Sequence, residues 1–146
     1  MTIEELQAKI GEELGKSEWV EIDQAKINMF ADTTDDHQFI HVDEDKAKMV
    51  FGSTIAHGFL TLSLLVPMAA SLGAMPAAKM AINAGFNKVR FLSPVRSGKK
   101  VRGVFTLAEL TEKKPGQWQQ VLDVTVEIEG EEKPALIAEW IMQIYP

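Results

Sequence analysis

The stretch "GFLTLSLLVPMAASL", residues 58–72, decides how this chain must fold. Its polar members are Thr61, Ser63 and Ser71, so a helix built from it is apolar on nearly every side. A helix of that kind has to be buried all round. It is too short and too often interrupted to be a membrane span, which needs about 20 strongly apolar residues. The reading is therefore a central core helix. Pro67 cannot donate to the carbonyl of Ser63, which predicts a kink or a polar partner at that level.

The material that buries it lies downstream. Between 118 and 128, Trp118, Leu122, Val124, Val126 and Ile128 face one way, while Gln119, Asp123, Thr125 and Glu127 face the other. Residues 135–145 repeat the pattern with Leu136, Ala138, Trp140, Met142 and Ile144. That period of two marks strands with one face buried. Residues 101–110 and roughly 80–92 are two more strand candidates, and the alternation of the latter slips near Gly85, which predicts a bulge. Turn chemistry separates the strands: "SPVRSG" at 93–98, "EKKPGQ" at 112–117 and "EGEEKP" at 129–134. Four long antiparallel strands and one fully apolar helix fit an α+β hot-dog domain, a sheet wrapped around a long central helix, over residues 1–146. One sheet covers only one side of the helix, so a homodimer is expected to complete the core.

Shorter elements precede the helix. Residues 2–13 are predicted helical, with Ile3, Leu6, Ile10 and Leu14 on one stripe. "SEWVEI" (17–22) reads as a strand. "DQAKINMFADTT" (23–34) reads as a helix capped by Asp23, with Ile27, Phe30 and Ala31 inward. "DEDKAKMV" (43–50) predicts one or two helical turns capped by Asp43.

Composition narrows the function. The chain has 146 residues and a formal net charge of −6, which argues against nucleic acid as a partner. It has no cysteine, which excludes disulfides, thiolate metal sites and a cysteine nucleophile. The opening segment "MTIEELQAKIGEELG" is amphipathic and acidic, unlike a secretion signal. The expectation is a cytoplasmic protein without membrane contact. "GEELGKS" (11–17) is one residue short of a phosphate loop and follows a predicted helix instead of a strand, so it is discounted.

Chemistry concentrates in "DDHQFIHVD", residues 35–43. Three readings compete: a metal cage, a proton-moving pair and a solvated polar loop. His37 and His41 are four apart, but a zinc site would need both on a helix and a third ligand elsewhere. His57 is the remaining histidine of three, and it reads as a loop or cap residue. No metal is expected.

Two separated blocks, "FADTTDDHQFIHVDEDKA" and "FGSTIAHGFLTLSLL", resemble the MaoC-like hydratases, the (R)-specific enoyl-CoA hydratases, and most of all their branch related to nodulation protein N. The family pattern G-D-x-N-P-[LIV]-H reads here as Asp35, Asp36, His37, Gln38, Phe39, Ile40, His41. Asp36 and His41 keep the spacing of the family's dyad. Asp35 stands where the pattern has glycine, and Gln38-Phe39 where it has Asn-Pro. The likeness extends into "INAGFNKVRFLSPVRSG".

The resemblance implies reversible addition of water to a trans-2-enoyl-CoA, giving an (R)-3-hydroxyacyl-CoA. Asp36 and His41 would share one water, one taking and the other giving a proton. Gly58, in the first turn of the central helix, would offer backbone N–H to the thioester oxygen. Ser63 would orient the aspartate, with Thr61 as the alternative. No cofactor is implied beyond the coenzyme A of the acyl-CoA substrate. Lys88, Arg90, Arg96 and Lys99 sit in a basic segment that is a candidate landing site for its phosphates, although such charges are more often an exposed strand face. Two rival functions stay open: a thioesterase on the same fold, and a non-catalytic acyl-binding protein.

Overall fold

The computed structural model describes residues 1–73, 76 and 78–146, so positions 74 and 75, the end of the apolar run that begins at 58, fall outside it. Among the described residues the chain forms a six-stranded antiparallel sheet in the order β1-β4-β5-β6-β3, with β2 also paired to β4. The strands are β1 (Glu13–Lys16), β2 (Val20–Ile22), β3 (Met80–Phe91), β4 (Lys99–Lys114), β5 (Gln117–Ile128) and β6 (Leu136–Tyr145). The helical segments are α1 (Ile3–Gln7), α2 (Gln24–Thr34), α3 (Phe39–Val42), α4 (Glu44–Phe51), α5 (Gly58–Ser63) and α6 (Leu65–Ser71). This is the hot-dog arrangement.

Alternation places the core. Residues Leu136, Ala138, Trp140, Met142 and Ile144 of β6 are all buried, as are Leu122, Val124, Val126 and Ile128 of β5. Their cross-strand partners keep the same face: Val124 lies opposite Ala138 and Phe105, and Leu122 opposite Trp140 and Leu107. These inner side chains pack on Leu60, Leu65, Met68 and Ala69 of the central helical segment. Gly103 of β4 permits the closest approach. A Cβ there would lie 2.5 Å from the Phe105 ring and 3.3 Å from Met68 Sδ, so only glycine lets the helix settle on the strand. The β3 register shifts between Asn83 and Gly85, as the sequence predicted, and shifts again between Phe86 and Lys88.

Three expectations need correction. The central helix is not one rod. It breaks at Leu64, whose N–H is shared between the carbonyls of Leu60 and Thr61, each at 3.2 Å. Pro67 leaves the Ser63 carbonyl without its helical donor, and the Ser63 hydroxyl donates back to the Phe59 carbonyl at 2.7 Å. Both effects loosen the helical ladder at that turn. The helix is not covered all round within one chain, as the single sheet implied, and Phe59 is 68% exposed.

The N-terminal helix is also shorter than its stripe suggested. It stops at Gln7, and Gly11, at φ 90°, turns the chain. Gly11 N–H then donates to Leu107 O at 2.7 Å, and Leu107 N–H to Glu12 O at 3.1 Å. The free edge of β4 thus captures residues 13–16 as β1, leaving Ile10 exposed. The strand expected over 17–22 covers only Val20–Ile22.

Candidate active site

Local rules build the loop that holds the dyad. Asp23 caps α2 by accepting from Lys26 N–H at 2.9 Å, and Asp43 caps α4 by accepting from Lys46 N–H at 3.1 Å. Between them, α2 ends at Asp35 with φ 58°, the one non-glycine residue at positive φ among those described. Aspartate tolerates this left-handed conformation better than most residues. That explains how it replaces glycine there. The chain then reverses, Asp36 N–H donating to Ala31 O at 3.1 Å, and Phe39–Val42 closes into the single turn α3, where a loop was expected.

That turn carries His41 inward. His41 is buried, and its Nδ1 lies 2.7 Å from the carbonyl of Ile55. A carbonyl only accepts, so Nδ1 carries the proton and Nε2 keeps its lone pair. Desolvation by burial is the main cause that pulls the His41 pKa below its ordinary 6.5, with the neighbouring His57 adding to it. The Ile55 hydrogen bond and Asp36 act in the opposite sense. The resulting species is a neutral imidazole with a basic Nε2.

The segment that orients it is clamped from two sides. Ile55 N–H donates to Ile40 O at 2.9 Å, Ala56 N–H to Val95 O at 2.8 Å, and Ser97 N–H to Thr54 O at 3.0 Å. Gln24 braces the other side, its Nε2 donating to the main-chain carbonyl of His41 at 2.8 Å.

His57, read from the sequence as a cap or loop residue, caps no N–H with its side chain. It is 97% buried, exposing 3% of its surface. Its ring stacks on His41 with centroids 3.8 Å apart and planes 23° apart. Its Nε2 lies 3.0 Å from the main-chain carbonyl of Asp36. Asp36, His41 and His57 each present one ligand-type atom, all within 4.8 Å of one another. The sequence signal for this third member was the His-Gly pair that opens the apolar helix. It was legible as a motif, but nothing local said that it would return to the loop 21 residues earlier.

A cluster this tight raises the metal reading again. The stack opposes it. Lone pairs of imidazoles lie in the ring planes, and two nearly parallel planes run side by side without meeting within an N–metal bond of about 2.0–2.1 Å. His37, the other histidine of the motif, stands outside the cluster. It is exposed and bound to Asp32 at 2.9 Å, and that hydrogen bond is the main reason its pKa is raised.

His41 opens onto a mainly apolar cavity of about 420 Å³, walled by Ile40, Ile55, Ala56, Gly58, Phe59, Thr61, Phe91, Val95 and Leu136 among others. Gly58 opens α5, where first-turn N–H groups have no intrahelical acceptor. A Cβ at Gly58 would meet the Phe91 ring at 2.9 Å, so its bare Cα lets Phe91 lie against the helix start. Thr61 is buried in the cavity wall. Ser63 is exposed and its hydroxyl is engaged by its own helix, so it does not orient Asp36 in this chain.

The four basic residues do not gather. Lys88 lies in an outer groove of the sheet with Asp123 and Glu139, opposite to the cavity face. Strand alternation puts Arg90 on that outer face too, since its neighbour Phe91 faces the cavity. Arg96 comes near the cavity wall, but its Nε donates to the Phe51 carbonyl at 3.0 Å. Lys99 starts β4 and is exposed.

The model for the MaoC like domain matches residues 5–132. The chain belongs to the MaoC-like family.

Its relatives in that family include nodulation protein N of Rhizobium meliloti, 49% identical over 146 residues, covering 97% of this chain and 89% of that protein. Another is 3-hydroxyacyl-thioester dehydratase Z of Mycobacterium tuberculosis, 45% identical over 143 residues, covering 97% and 95%. Among solved structures, the monoamine oxidase regulatory protein from Archaeoglobus fulgius superposes with a TM-score of 0.83 at 26% identity, covering 99% of this chain and 94% of its own. The (R)-hydratase from A. caviae superposes with a TM-score of 0.76 at 23% identity over 94% and 96%, which supports the fold alone. A dehydratase of 3-hydroxyacyl thioesters thus stands among the MaoC-like relatives of this chain. Among the described residues no helix is long and apolar enough to cross a membrane.

Proposed function

We infer that this MaoC-like protein is a hydro-lyase that adds water reversibly to trans-2-enoyl-CoA thioesters, giving (R)-3-hydroxyacyl-CoA. The observation that carries this reading is a neutral imidazole, His41, at the wall of an apolar cavity, with a carboxylate oxygen of Asp36 within 4.8 Å of one of its ring nitrogens.

The chemistry follows from those groups. The apolar walls take the acyl chain and bring C3 of the enoyl group to the dyad. Asp36 accepts a hydrogen bond from a water and turns its oxygen toward C3. His41 Nε2 removes the water's other proton as oxygen bonds to C3, and the C2–C3 π pair moves to the thioester oxygen. Gly58 N–H donates to that developing enolate. The imidazolium then delivers its proton to C2, the π pair returns, and both side chains end as they began.

Crotonyl-CoA is the first substrate to try. Loss of enone absorbance without thiol release supports the hydratase. Thiol release identifies a thioesterase, and neither signal identifies a non-catalytic acyl-binding protein.

The acid limb of kcat/KM is expected below pH 6.5, because the reacting form of His41 is neutral and its pKa is lowered from that value. Activity should fall as pH drops through the depressed pKa. A limb well above pH 6.5 contradicts the assignment.

No step uses a metal, so exhaustive chelation should leave turnover unchanged. Stoichiometric zinc whose removal abolishes activity would reverse this.

A homodimer is the expected state. β3 is an edge strand of 12 residues. It exposes Met80, Ile82, Phe86 and Phe91, next to exposed Phe59 and Val66. A long apolar edge with unpaired N–H and C=O groups invites strand pairing, and β3 meeting its two-fold copy would cover both. Sedimentation equilibrium should report about twice 16.2 kDa at micromolar protein, and a monomer there refutes the pairing.

A further inference from the structure

We propose that His57 is a positioning residue that sets both members of the dyad at once, holding Asp36 by its main chain and His41 by its ring. This rests on the reading of Asp36 and His41 as the reacting pair.

The hydrogen bonds define its state. The Asp36 carbonyl can only accept, so His57 Nε2 must carry the proton. His57 Nδ1 is then left with a lone pair. It is buried without a partner among the described residues, a desolvation cost that a packing residue such as Leu or Phe would avoid. The ring also packs on Phe30 of α2, at a centroid distance of 4.9 Å and an angle of 58°. A polar ring packed on both Phe30 and His41 and bonded to the carbonyl of residue 36 ties that carbonyl to the His41 ring. The carboxylate of that residue then stays within 4.8 Å of a His41 ring nitrogen.

His57 does not wall the cavity, so it need not touch substrate. Its influence passes through two other groups, one by position and one by charge. Two imidazolium rings 3.8 Å apart would repel, so the stacked pair resists taking up a second proton, and His57 is among the causes that lower the His41 pKa. The groups that face the ring pair are each other, Asp36 from the loop before α3, the Ile55 carbonyl and the apolar Phe30. Asp36 is the one carboxylate in this cluster.

The test compares His57→Phe, which keeps a stacking ring but loses the donor, with His57→Gln, which keeps an N–H donor but loses the ring. His57→Phe should lower kcat about tenfold to 10²-fold, the scale of a displaced reacting group, with KM unchanged. Its acid limb should move to higher pH, because His41 no longer faces a second imidazole and binds its proton more readily. His57→Gln should recover part of kcat through its bond to the Asp36 carbonyl. Normal kcat in folded His57→Phe overturns the proposal. So does an equal loss in both variants with the limb unmoved, which is the mark of packing alone.

Imidazole ¹⁵N shifts provide a readout that does not depend on turnover. Wild type should show His57 as the Nε2–H tautomer and His41 as the Nδ1–H tautomer, and His41 should titrate higher in His57→Phe. A Nδ1–H tautomer at His57, or an unmoved His41 titration, overturns the proposal. If His57→Phe does not fold, the wild-type tautomers and His57→Gln decide. Asp36→Asn with full hydration would instead sink the dyad reading while leaving these tautomers as measured, so the two failures are distinguishable.

Discussion

Asp36→Asn is expected to slow enoyl-CoA hydration by about 10²–10⁴-fold while the protein remains folded, because the carboxylate that holds the water for His41 is lost and the general-base transfer at His41, worth that range, is lost with it. The amide keeps the carboxylate's shape but loses its negative charge, and its NH2 group can only donate to the water. Folding should survive because Asp36 is only half-buried and its carboxylate receives a single long hydrogen bond, from Gln38 N–H at 3.4 Å. His41→Gln should cost a similar factor, since it removes the Nε2 lone pair. The double variant should be little slower than the slower single one, because groups that act on one water are not additive.

His37→Ala is the matched control and should stay within about tenfold, or about 1.4 kcal/mol in the barrier. Its ring is exposed and bonded to Asp32, away from the cavity. The control at position 35 is Asp35→Gly, because φ there is 58° and alanine would add backbone strain unrelated to catalysis. Steady-state kinetics beside a circular-dichroism melt separate activity from folding. Near-normal hydration by folded Asp36→Asn, or a collapse in His37→Ala, would show that another member of the cluster carries the reaction.

Trp140→Ala should cost about 3–5 kcal/mol of stability, the usual range for emptying a buried aromatic site. Trp140 is 1% exposed and packs at the centre of β6 against the helical core. Its ring stacks in parallel with Phe86 at 6.5 Å, and its Nε1–H donates to Asn83 Oδ1 at 3.0 Å. Truncation therefore opens a void and also strips Asn83 of its donor. Domains of this kind have only about 5–15 kcal/mol in total, so the loss is a large share. The melting temperature should drop by roughly 6–20 °C at matched protein concentration. Trp140→Phe should lose much less, because most of the packing remains. A drop under about 1 kcal/mol for the alanine variant would mean that the site collapses around the void.

Much of this molecule was legible in the sequence for a physical reason. A strand's side chains alternate regardless of what they pack on, so the inner faces of β5 and β6 could be read directly from Leu122 to Ile128 and from Leu136 to Ile144. Asp23 and Asp43 cap their helices through bonds to residues three positions on, which is equally local. Composition marked residues 35–43 as the place where carboxylates and imidazoles concentrate, and it was the family likeness that singled out Asp36 and His41 within that loop.

Tertiary structure alone decided the rest. Residues 13–16 carry no strand pattern of their own, and they are a strand because β4 offers an unpaired edge that meets Gly11 and Glu12. Ser63 carried the expected hydroxyl, but a helix missing a donor at Pro67 engages it locally, with Phe59 O. Whether Lys88 and Arg90 face the cavity depended on bulges in β3 that a residue count does not locate. His57 shows the limit most clearly. Periodicity reports backbone dihedrals over a few neighbours, whereas the stack of His57 on His41 depends on how the 54–56 segment is clamped between α3 and residues 95–97. That is a contact through space between segments the chain order keeps apart, and only packing sets it.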